Sequence, residues 1–503
     1  MADLAGAIAP TAKEPTPVPD IIGAMLLAAA FLIGSQACRT CHIAIADAYA
    51  KTPMAGSSGR VEALAAASFI AAGHRYRIAD KRLEFDGGSV PIDYFIGSNA
   101  AGRSFLGERE GYLFELPVTW YSQRQMWDAS PGYEHDAQVR LNRAVEPSCL
   151  SCHASRVRPV LGTQNRYGDP PFMEGGVGCE RCHGPGSEHA RDPVGFPLIN
   201  PSRLDAERRD SICSQCHLTG EARVEQAGRR FAEFQAGDRL SDYATYMVWS
   251  RDRRDLKVTS HVEKLAASAC KRSAGDALWC GTCHDVHTNA DRTQAACLGC
   301  HATAHRQQES CASCHMPKTR AVDANHGVLT DHSIPRIPPR APVIQAQPAG
   351  KGLVAFLGLA DDRALGLAYA SLGDSRARQY LVQASPADAE VKLRLAAMET
   401  DPARATVLYE SVLKSNPSQI IALVNLGSLY AGMGRMADAA RLWGRALDAN
   451  SGLEEAVMNL VQIQTPAQAR VTLKRYLEFN PASSLARTKL QSLQDGKVVP
   501  TPP

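Results

Sequence analysis

The sequence predicts a mainly α-helical protein with much irregular structure, in which a long cysteine-rich domain with a small β-rich insertion precedes an α-solenoid of tetratricopeptide type. Three observations predict this organisation. The pattern Cys-x-x-Cys-His recurs seven times between Cys38 and His315. Short segments of alternating apolar and polar residues separate the first two copies. An Ala- and Leu-rich helical texture follows the Pro-rich stretch 334–350.

Each copy of the pattern has the spacing that attaches a c-type haem. Two thiols three positions apart form thioether bonds to the haem vinyl groups, and the following His ligates the iron. A zinc site made from paired cysteines does not require a His after every pair. With 15 His in 503 residues, a His would follow any one pair by chance roughly 3% of the time.

Seven complete motifs therefore predict seven covalently bound haems, and haems and motifs are numbered here from 1 to 7 in chain order. The attachment cysteines and proximal histidines are Cys38, Cys41 and His42; Cys149, Cys152 and His153; Cys179, Cys182 and His183; Cys213, Cys216 and His217; Cys280, Cys283 and His284; Cys297, Cys300 and His301; and Cys311, Cys314 and His315. The motif region offers roughly 40 residues per haem, too few to give each its own protein core. The haems must therefore lie close together.

Charge and haem chemistry limit the partners and the compartment. The formal net charge is +3 and no run of Lys or Arg stands out, which argues against a nucleic-acid partner. Thioether attachment takes place outside the cytoplasm in bacteria, so a periplasmic or otherwise extracytoplasmic location is expected. The apolar stretch Ile21 to Gly34 has the length of a signal-peptide core and is short for a membrane span. Residues 1–34 are predicted to be disordered or signal-like, and membrane association is left open.

The haem domain is predicted over residues 35–333, with the β-rich insertion at about 68–130. Segments such as Leu83-Glu84-Phe85 alternate and are broken by Gly87-Gly88, as in short strands joined by turns. The stretch 334–350 is predicted to be a Pro-rich linker. It predicts a clean break, beyond which residues 351–493 should fold separately, with a tail at 494–503.

Residues 420–451 fit one tetratricopeptide repeat, with Leu426, Tyr430, Ala439, Trp443 and Ala446 at its helix-packing positions. Degenerate copies on both sides give about four units between residues 353 and 491. The alternative is an irregular helical bundle. A repeat domain would present a concave helical surface on which a partner could dock.

The second axial ligands must come from outside the motifs. Eight histidines remain: His74, His135, His189, His261, His287, His305, His326 and His332. His287 lies three residues after proximal His284, and His305 lies four after His301, so each is about one helical turn from a ligand of its own haem. Neither can reach the opposite face of that haem. Each must serve a neighbouring haem or none.

The segment GCERCHGPGSEH, from Gly178 to His189, resembles the haem-binding segment of the tetrahaem cytochrome c family that accepts electrons in hydroxylamine oxidation. The run from Gly34 to His42 is similar to that family's first site. In that family the final His is a distal ligand of another haem, which implies this role for His189. The wider chain resembles bacterial multihaem cytochromes fused to C-terminal tetratricopeptide repeats, at Ser260-His261-Val262-Glu263, Cys283-His284-Asp285-Val286-His287 and Thr330-Asp331-His332. The resemblance implies a multihaem cytochrome c domain.

The candidate distal ligands are His189, His261, His287, His305 and His332, followed by His326 and Met54. Met54 stands where the resembled tetrahaem family tends to place a downstream His. A thioether ligand would raise the reduction potential of one haem, and the alternative is a Met that only packs. Cys270, the odd fifteenth cysteine, is expected to be a buried structural thiol, with a regulatory or ligand thiol as the alternative.

The favoured function is an extracytoplasmic heptahaem electron carrier that works with redox partner proteins. An iron with two strong axial ligands has no open position, so it only exchanges electrons. The alternative is a multihaem oxidoreductase that acts on a small nitrogen or sulfur compound at one haem with open coordination. A Lys in place of a motif His, which would mark such a haem, is absent. No catalytic residue is predicted.

Overall fold

The computed structural model describes residues 31–250, 256–301, 310–324, 326–337 and 352–495. The predictions for the first 30 residues, for His305 and for most of the linker lie outside these ranges. Within the ranges, no helix is both long and apolar enough to span a membrane.

A β-rich unit follows the first motif, which lies at helices α1 (Ser35–Arg39) and α2 (Ile43–Tyr49). Its strands are β1 (Ser58–Arg60), β2 (Ala67–Ala71), β3 (His74–Ala79), β4 (Arg82–Phe85), β5 (Gly88–Pro91), β6 (Tyr94–Ile96), β7 (Arg103–Arg109), β8 (Tyr112–Tyr121), β9 (Met126–Ala129) and β10 (Arg143–Ala144). Strands β2 to β5 form one antiparallel sheet, and β1, β6, β7, β8 and β10 form another, with β9 paired to β8. The insertion expected at about 68–130 falls inside this wider unit.

The strands of the β-rich unit follow the alternation of apolar and polar residues. On β3, Tyr76 and Ile78 are buried and the residue between them is exposed, because successive side chains of a strand point to opposite faces. Leu83 on β4 and Leu116 and Val118 on β8 belong to the same apolar core. One core therefore joins the two sheets.

The other six motifs lie on or beside short helices. These helices are α3 (Pro147–Leu150), α4 (Glu180–His183), α5 (Ser187–Arg191), α6 (Ala206–His217), α7 (His261–Ala267), α8 (Ala269–Ala274), α9 (Cys280–Cys283), α10 (Thr293–Cys300) and α11 (Cys311–His315). Strands between them are β11 (Ala154–Pro159), β12 (Tyr167–Gly175), β13 (Ala222–Glu225), β14 (Ala244–Trp249), β15 (His284–Asp285), β16 (Ala290–Asp291), β17 (Lys318–Arg320) and β18 (Val328–Thr330). A single helical turn puts two thiols three positions apart on one face.

The C-terminal region is helical, as predicted. It begins with strand β19 (Leu353–Leu357) and continues as α12 (Asp362–Ser371), α13 (Ala377–Leu381), α14 (Ala389–Ala397), α15 (Pro402–Ser415), α16 (Ile420–Gly432), α17 (Met436–Ala449), α18 (Glu454–Ile463), α19 (Pro466–Phe479) and α20 (Ser484–Gln494). Consecutive helices pack on each other. Tyr430, Ala439, Trp443 and Ala446 are buried in one core. A Cβ on Gly427 would lie 2.5 Å from Trp443 Nε1, so only glycine allows this close helix contact.

The helical region is joined to the N-terminal region in two places. Strand β19 pairs antiparallel with β14, and Leu353 and Leu367 share an apolar core with Met247. Farther along, the Tyr112 hydroxyl donates to the Asp448 carbonyl at 2.7 Å. The expected clean break at the linker is therefore wrong, because the two regions share a sheet and a core.

Candidate haem centre

The cysteines of the seven motifs are free thiols, and so is Cys270. No disulfide bond forms among these cysteines, so each motif thiol is available for a thioether bond. Cys270 lies on α8 and is partly exposed, whereas the sequence predicts a buried thiol.

Two proximal histidines each face a histidine from a later part of the chain. The ring centres of His42 and His189 lie 6.3 Å apart, and those of His183 and His287 lie 6.0 Å apart. The ring planes are nearly parallel, at 13° and 15°. Two imidazoles that bind one metal ion from opposite sides have ring centres roughly 6 Å apart, because each metal–nitrogen bond is about 2 Å long. Both pairs fit a haem iron held between them.

Four further histidines form a cluster where motifs 4 and 5 meet. Between ring centres, His217 lies 5.2 Å from His261, and His261 lies 4.8 Å from His332. His332 in turn lies 6.2 Å from His284. Two of the four are proximal histidines and two come from outside the motifs. The cluster thus has the composition of two sites with two histidines each.

Ring orientation leaves Nε2 available in several of these histidines. Nδ1 of His183 donates to the Ile199 carbonyl at 2.7 Å, and Nδ1 of His189 donates to the Phe196 carbonyl at 3.0 Å. Nδ1 of His332 makes the same kind of bond to a backbone carbonyl. A donating Nδ1–H fixes the tautomer in which Nε2 carries the lone pair that binds a metal.

Burial lowers the pKa of four of the facing histidines. The pKa values of His217, His261, His287 and His332 are all lowered, mainly because burial disfavours the charged ring. At His261 the neighbouring rings add to the effect of burial and lower the pKa to about 3. Since a metal ligand must be the neutral imidazole, these rings are in the binding form at neutral pH.

Motif 2 differs from these sites. The His153 side chain is half-buried, its buried Nδ1 has no hydrogen-bond partner, and no second histidine faces it among the described residues. The backbone of Met54 approaches this motif through Ser57. The Ser57 hydroxyl is within hydrogen-bond distance of the carbonyl oxygens of both Met54 and His153, at 2.9 and 3.0 Å.

The remaining candidates are not brought to a facing position within the described ranges. Nε2 of His326 donates to the Asp128 carboxylate at 2.6 Å, so this ring is engaged in the β-rich unit. Nε2 of His74 likewise donates to a backbone carbonyl. His301 of motif 6 is exposed, and its neighbour His305 lies outside the described residues.

Thiols from different motifs lie close enough that one acts on the pKa of the other. Motif 1 meets motif 3 through Cys38 and Cys179. Motifs 2 and 4, 4 and 5, and 6 and 7 meet in the same way, through Cys152 and Cys216, Cys213 and Cys280, and Cys297 and Cys311. Because each thioether bond fixes one edge of a haem at its cysteine, neighbouring thiols imply neighbouring haems.

Known proteins share the motif region. Residues 120–184, which include motifs 2 and 3, match the family described as cytochrome c554 and c-prime. A stretch of 75 residues is 35% identical to the C-type polyheme cytochrome OmcC of Geobacter sulfurreducens. Another of 153 residues is 29% identical to the multiheme cytochrome MtrA of Shewanella baltica. Over these stretches the chain is similar to multihaem c-type cytochromes.

The matches to these multihaem cytochromes are partial. The OmcC match covers 14% of this chain and 9% of that protein, and the MtrA match covers 28% and 45%, so the chain spans less than half of either relative. The solved structure of the outer cell wall cytochrome OcwA is similar over 83% of this chain and 99% of its own, at 14% identity and a TM-score of 0.42. A tetratricopeptide repeat protein from Parabacteroides merdae is similar over 26% of this chain and 58% of its own, at 22% identity and a TM-score of 0.23.

Proposed function

We propose that this chain is an extracytoplasmic multihaem c-type cytochrome that carries electrons along seven closely spaced haems. The observation that carries the proposal is the pairing of proximal histidines with histidines from outside the motifs. An iron held between two imidazoles has both axial positions filled, so it exchanges electrons and binds no substrate. The relation to multihaem cytochromes supports covalent haem, and the motif count supports seven.

The facing rings support four distal assignments. His189 would serve haem 1 and His287 would serve haem 3. Within the cluster of four, His261 would serve haem 4 and His332 would serve haem 5, because each is the non-motif ring nearest the proximal one. His305 remains a proposed distal ligand for a haem other than haem 6. Met54, whose backbone shares the Ser57 hydroxyl with His153, is proposed as a ligand of haem 2.

Thiol contacts support an order for the electron path. They connect haem 1 with haem 3, haem 2 with haem 4, haem 4 with haem 5, and haem 6 with haem 7. Cys283 of motif 5 and Cys297 of motif 6 are close enough to interact electrostatically, which adds the step from haem 5 to haem 6. Haem 3 would join haem 5 through its distal ligand His287, which follows motif 5. The path would then run from haem 1 to haem 7.

The helical region supplies the docking surface for a redox partner protein in this proposal, and its residue pattern supports the tetratricopeptide assignment. The carboxyl end of α17 packs on the β-rich unit, where the Tyr112 hydroxyl donates to the Asp448 carbonyl. The Phe479 ring also packs on Tyr112. Partner binding would therefore use the other faces of the helices.

Haem stoichiometry and spin state test the carrier function. Intact-mass measurement of the mature chain, produced in a host with c-type maturation machinery, should show seven added haems. Electron paramagnetic resonance of the oxidised protein should show low-spin iron for haems 1, 3, 4 and 5. Fewer haems, or high-spin signals from haems 1, 3, 4 and 5, would contradict the proposal.

One observation favours a second function, the oxidoreductase with one open haem. No described histidine faces His153, so haem 2, if Met54 does not bind it, would be the open site for a small nitrogen or sulfur compound. The resemblance of the segment from Gly178 to His189 to the tetrahaem family that accepts electrons in hydroxylamine oxidation supports a nitrogen compound as the substrate of this second function. A stoichiometric high-spin signal that shifts on addition of nitrite, hydroxylamine or tetrathionate would support this function. An entirely low-spin spectrum without response would exclude it.

A further inference from the structure

Arg181 links three haem motifs at one point. It lies between the two cysteines of motif 3, and its Nη2 donates to the Ser151 carbonyl inside motif 2 at 3.0 Å. The same nitrogen donates to Oε1 of Gln215, which lies inside motif 4. The carbonyl of Gln215 in turn accepts the Cys152 thiol at 3.6 Å. A single guanidinium thus holds three attachment segments together.

The charge of Arg181 has no opposite charge against it. Both of its acceptors are neutral, and no carboxylate among the described residues forms an ion pair with it. Gln215 is almost fully buried, at 4% exposure, so water screens this point poorly. The adjacent carboxylate of Glu180 is occupied by the backbone amides of Ile33, Gly34 and Gly186.

The field of Arg181 reaches one thiol in each of the three motifs. Ser151, which accepts one of the Arg181 hydrogen bonds, directly precedes Cys152, and Gln215, the other acceptor, directly precedes Cys216. Arg181 itself directly precedes Cys182. These three thiols would carry thioether bonds to haems 2, 3 and 4. Reduction of a haem adds one negative charge, and a nearby uncompensated cation stabilises the reduced form.

We propose that Arg181 is a positioning residue that raises the reduction potentials of haems 2, 3 and 4 and fixes their junction in the electron path. The inference rests on the proposed multihaem function. It adds a residue that the sequence analysis did not single out, although a charged side chain between two attachment cysteines is a visible signal. Arg suits the role because its planar fork donates to two acceptors and keeps its charge.

Potentiometric titration of the mature protein, followed by visible absorbance, tests the role of Arg181. R181M should move the titration of a subset of haems to lower potential by about 59 mV, which corresponds to a tenfold fall in the ratio of reduced to oxidised haem. R181K keeps the positive charge, so the reduction potentials of these haems should stay close to those of the parent protein. Q215E places a carboxylate against Arg181 and should reproduce the R181M shift without removing the guanidinium.

R39M is the matched control. Arg39 also lies between two attachment cysteines, but it is exposed and paired with Asp47 at 2.5 Å, so its loss should leave the titration unchanged. Superimposable curves for R181M, Q215E and the parent protein would overturn the inference, and so would an R181K shift as large as that of R181M. Haem count and spin state of the unaltered protein report on the multihaem function separately, so the two failures are distinguishable.

Discussion

The imidazoles of His183 and His287 stand 6.0 Å apart with planes 15° from parallel, although one closes motif 3 and the other follows motif 5. The bond from His183 Nδ1 to the Ile199 carbonyl holds the first ring in this orientation. Two rings held at the spacing of a metal sandwich need little reorganisation to bind one iron. The contact also ties the segment after motif 5 to the segment of motif 3.

Replacing His287 with alanine should convert haem 3 from low spin to high spin while all covalent haem is kept, because attachment uses the cysteines. Magnetic circular dichroism and intact mass measure the two quantities. H326A is the matched control, since the His326 ring bonds Asp128 and should leave the spectrum unchanged. An unchanged spectrum in H287A would show that His287 is not a ligand.

Replacing His261 or His332 should each create one high-spin haem, at haem 4 and haem 5 respectively. Because the ring centres of His261 and His332 lie 4.8 Å apart, each single replacement should also alter the spectrum of the neighbouring haem. The spectral change in the double variant should therefore differ from the sum of the changes in the two single variants. Paramagnetic resonance of the three variants measures this coupling. Strictly additive spectra would mean that the two sites are independent.

The packing of α16 on α17 predicts opposite effects for two glycine changes. G427A would place a methyl group 2.5 Å from Trp443 Nε1, and we expect a loss of about 1–3 kcal/mol in unfolding free energy. G444A lies in α17 with nothing within 4 Å of the added methyl, and should gain up to about 1 kcal/mol. Denaturant unfolding compares them. Equal effects would contradict the close contact.

A chain that ends after residue 347 should lose stability, since it uncovers Met247 on β14 and Tyr112 and Phe114 on β8. Uncovering each large apolar side chain costs about 1.5–3 kcal/mol. We expect a low yield of mature protein compared with a chain that ends after residue 495. A truncated protein with full yield and unchanged thermal unfolding would show that the helical region is dispensable for the fold.

Glu115 predicts a pH dependence of stability. Burial raises its pKa from the ordinary 4.5 to about 7, although Arg143 lies at 3.2 Å and opposes the shift. A raised pKa in the folded state means that the folded chain holds the proton more tightly, so the stabilisation is complete below pH 4.5 and is lost as pH rises through 7. E115Q should reduce the slope of the unfolding free energy as a function of pH between pH 4.5 and 7. An unchanged slope would contradict the assignment.

The sequence predicts the attachment sites because haem attachment is a local pattern, and it predicts His189, His261, His287 and His332 as candidates because they lie beside motifs or in segments that resemble the multihaem family. Which candidate faces which proximal ring depends on contacts between distant segments, and spacing does not contain them. Met54 illustrates this, since the resemblance associates it with motif 1, whereas its backbone also shares a hydroxyl contact with His153 of motif 2. The Pro-rich linker predicts a separately folding C-terminal region, and this prediction fails for a related reason. A Pro-rich stretch marks an irregular connection, but whether the flanking regions share a core depends on surfaces such as that around Met247.

In all four facing pairs, the proximal histidine comes first in the chain and its counterpart comes later. A chain that emerges from export amino end first would present motif 1 well before His189, and motif 3 well before His287. The early haems would therefore pass through a stage with one vacant axial position during biogenesis. Coordination would be completed in the order of translocation, so a block in export would strand the amino-terminal haems in a reactive, half-ligated state.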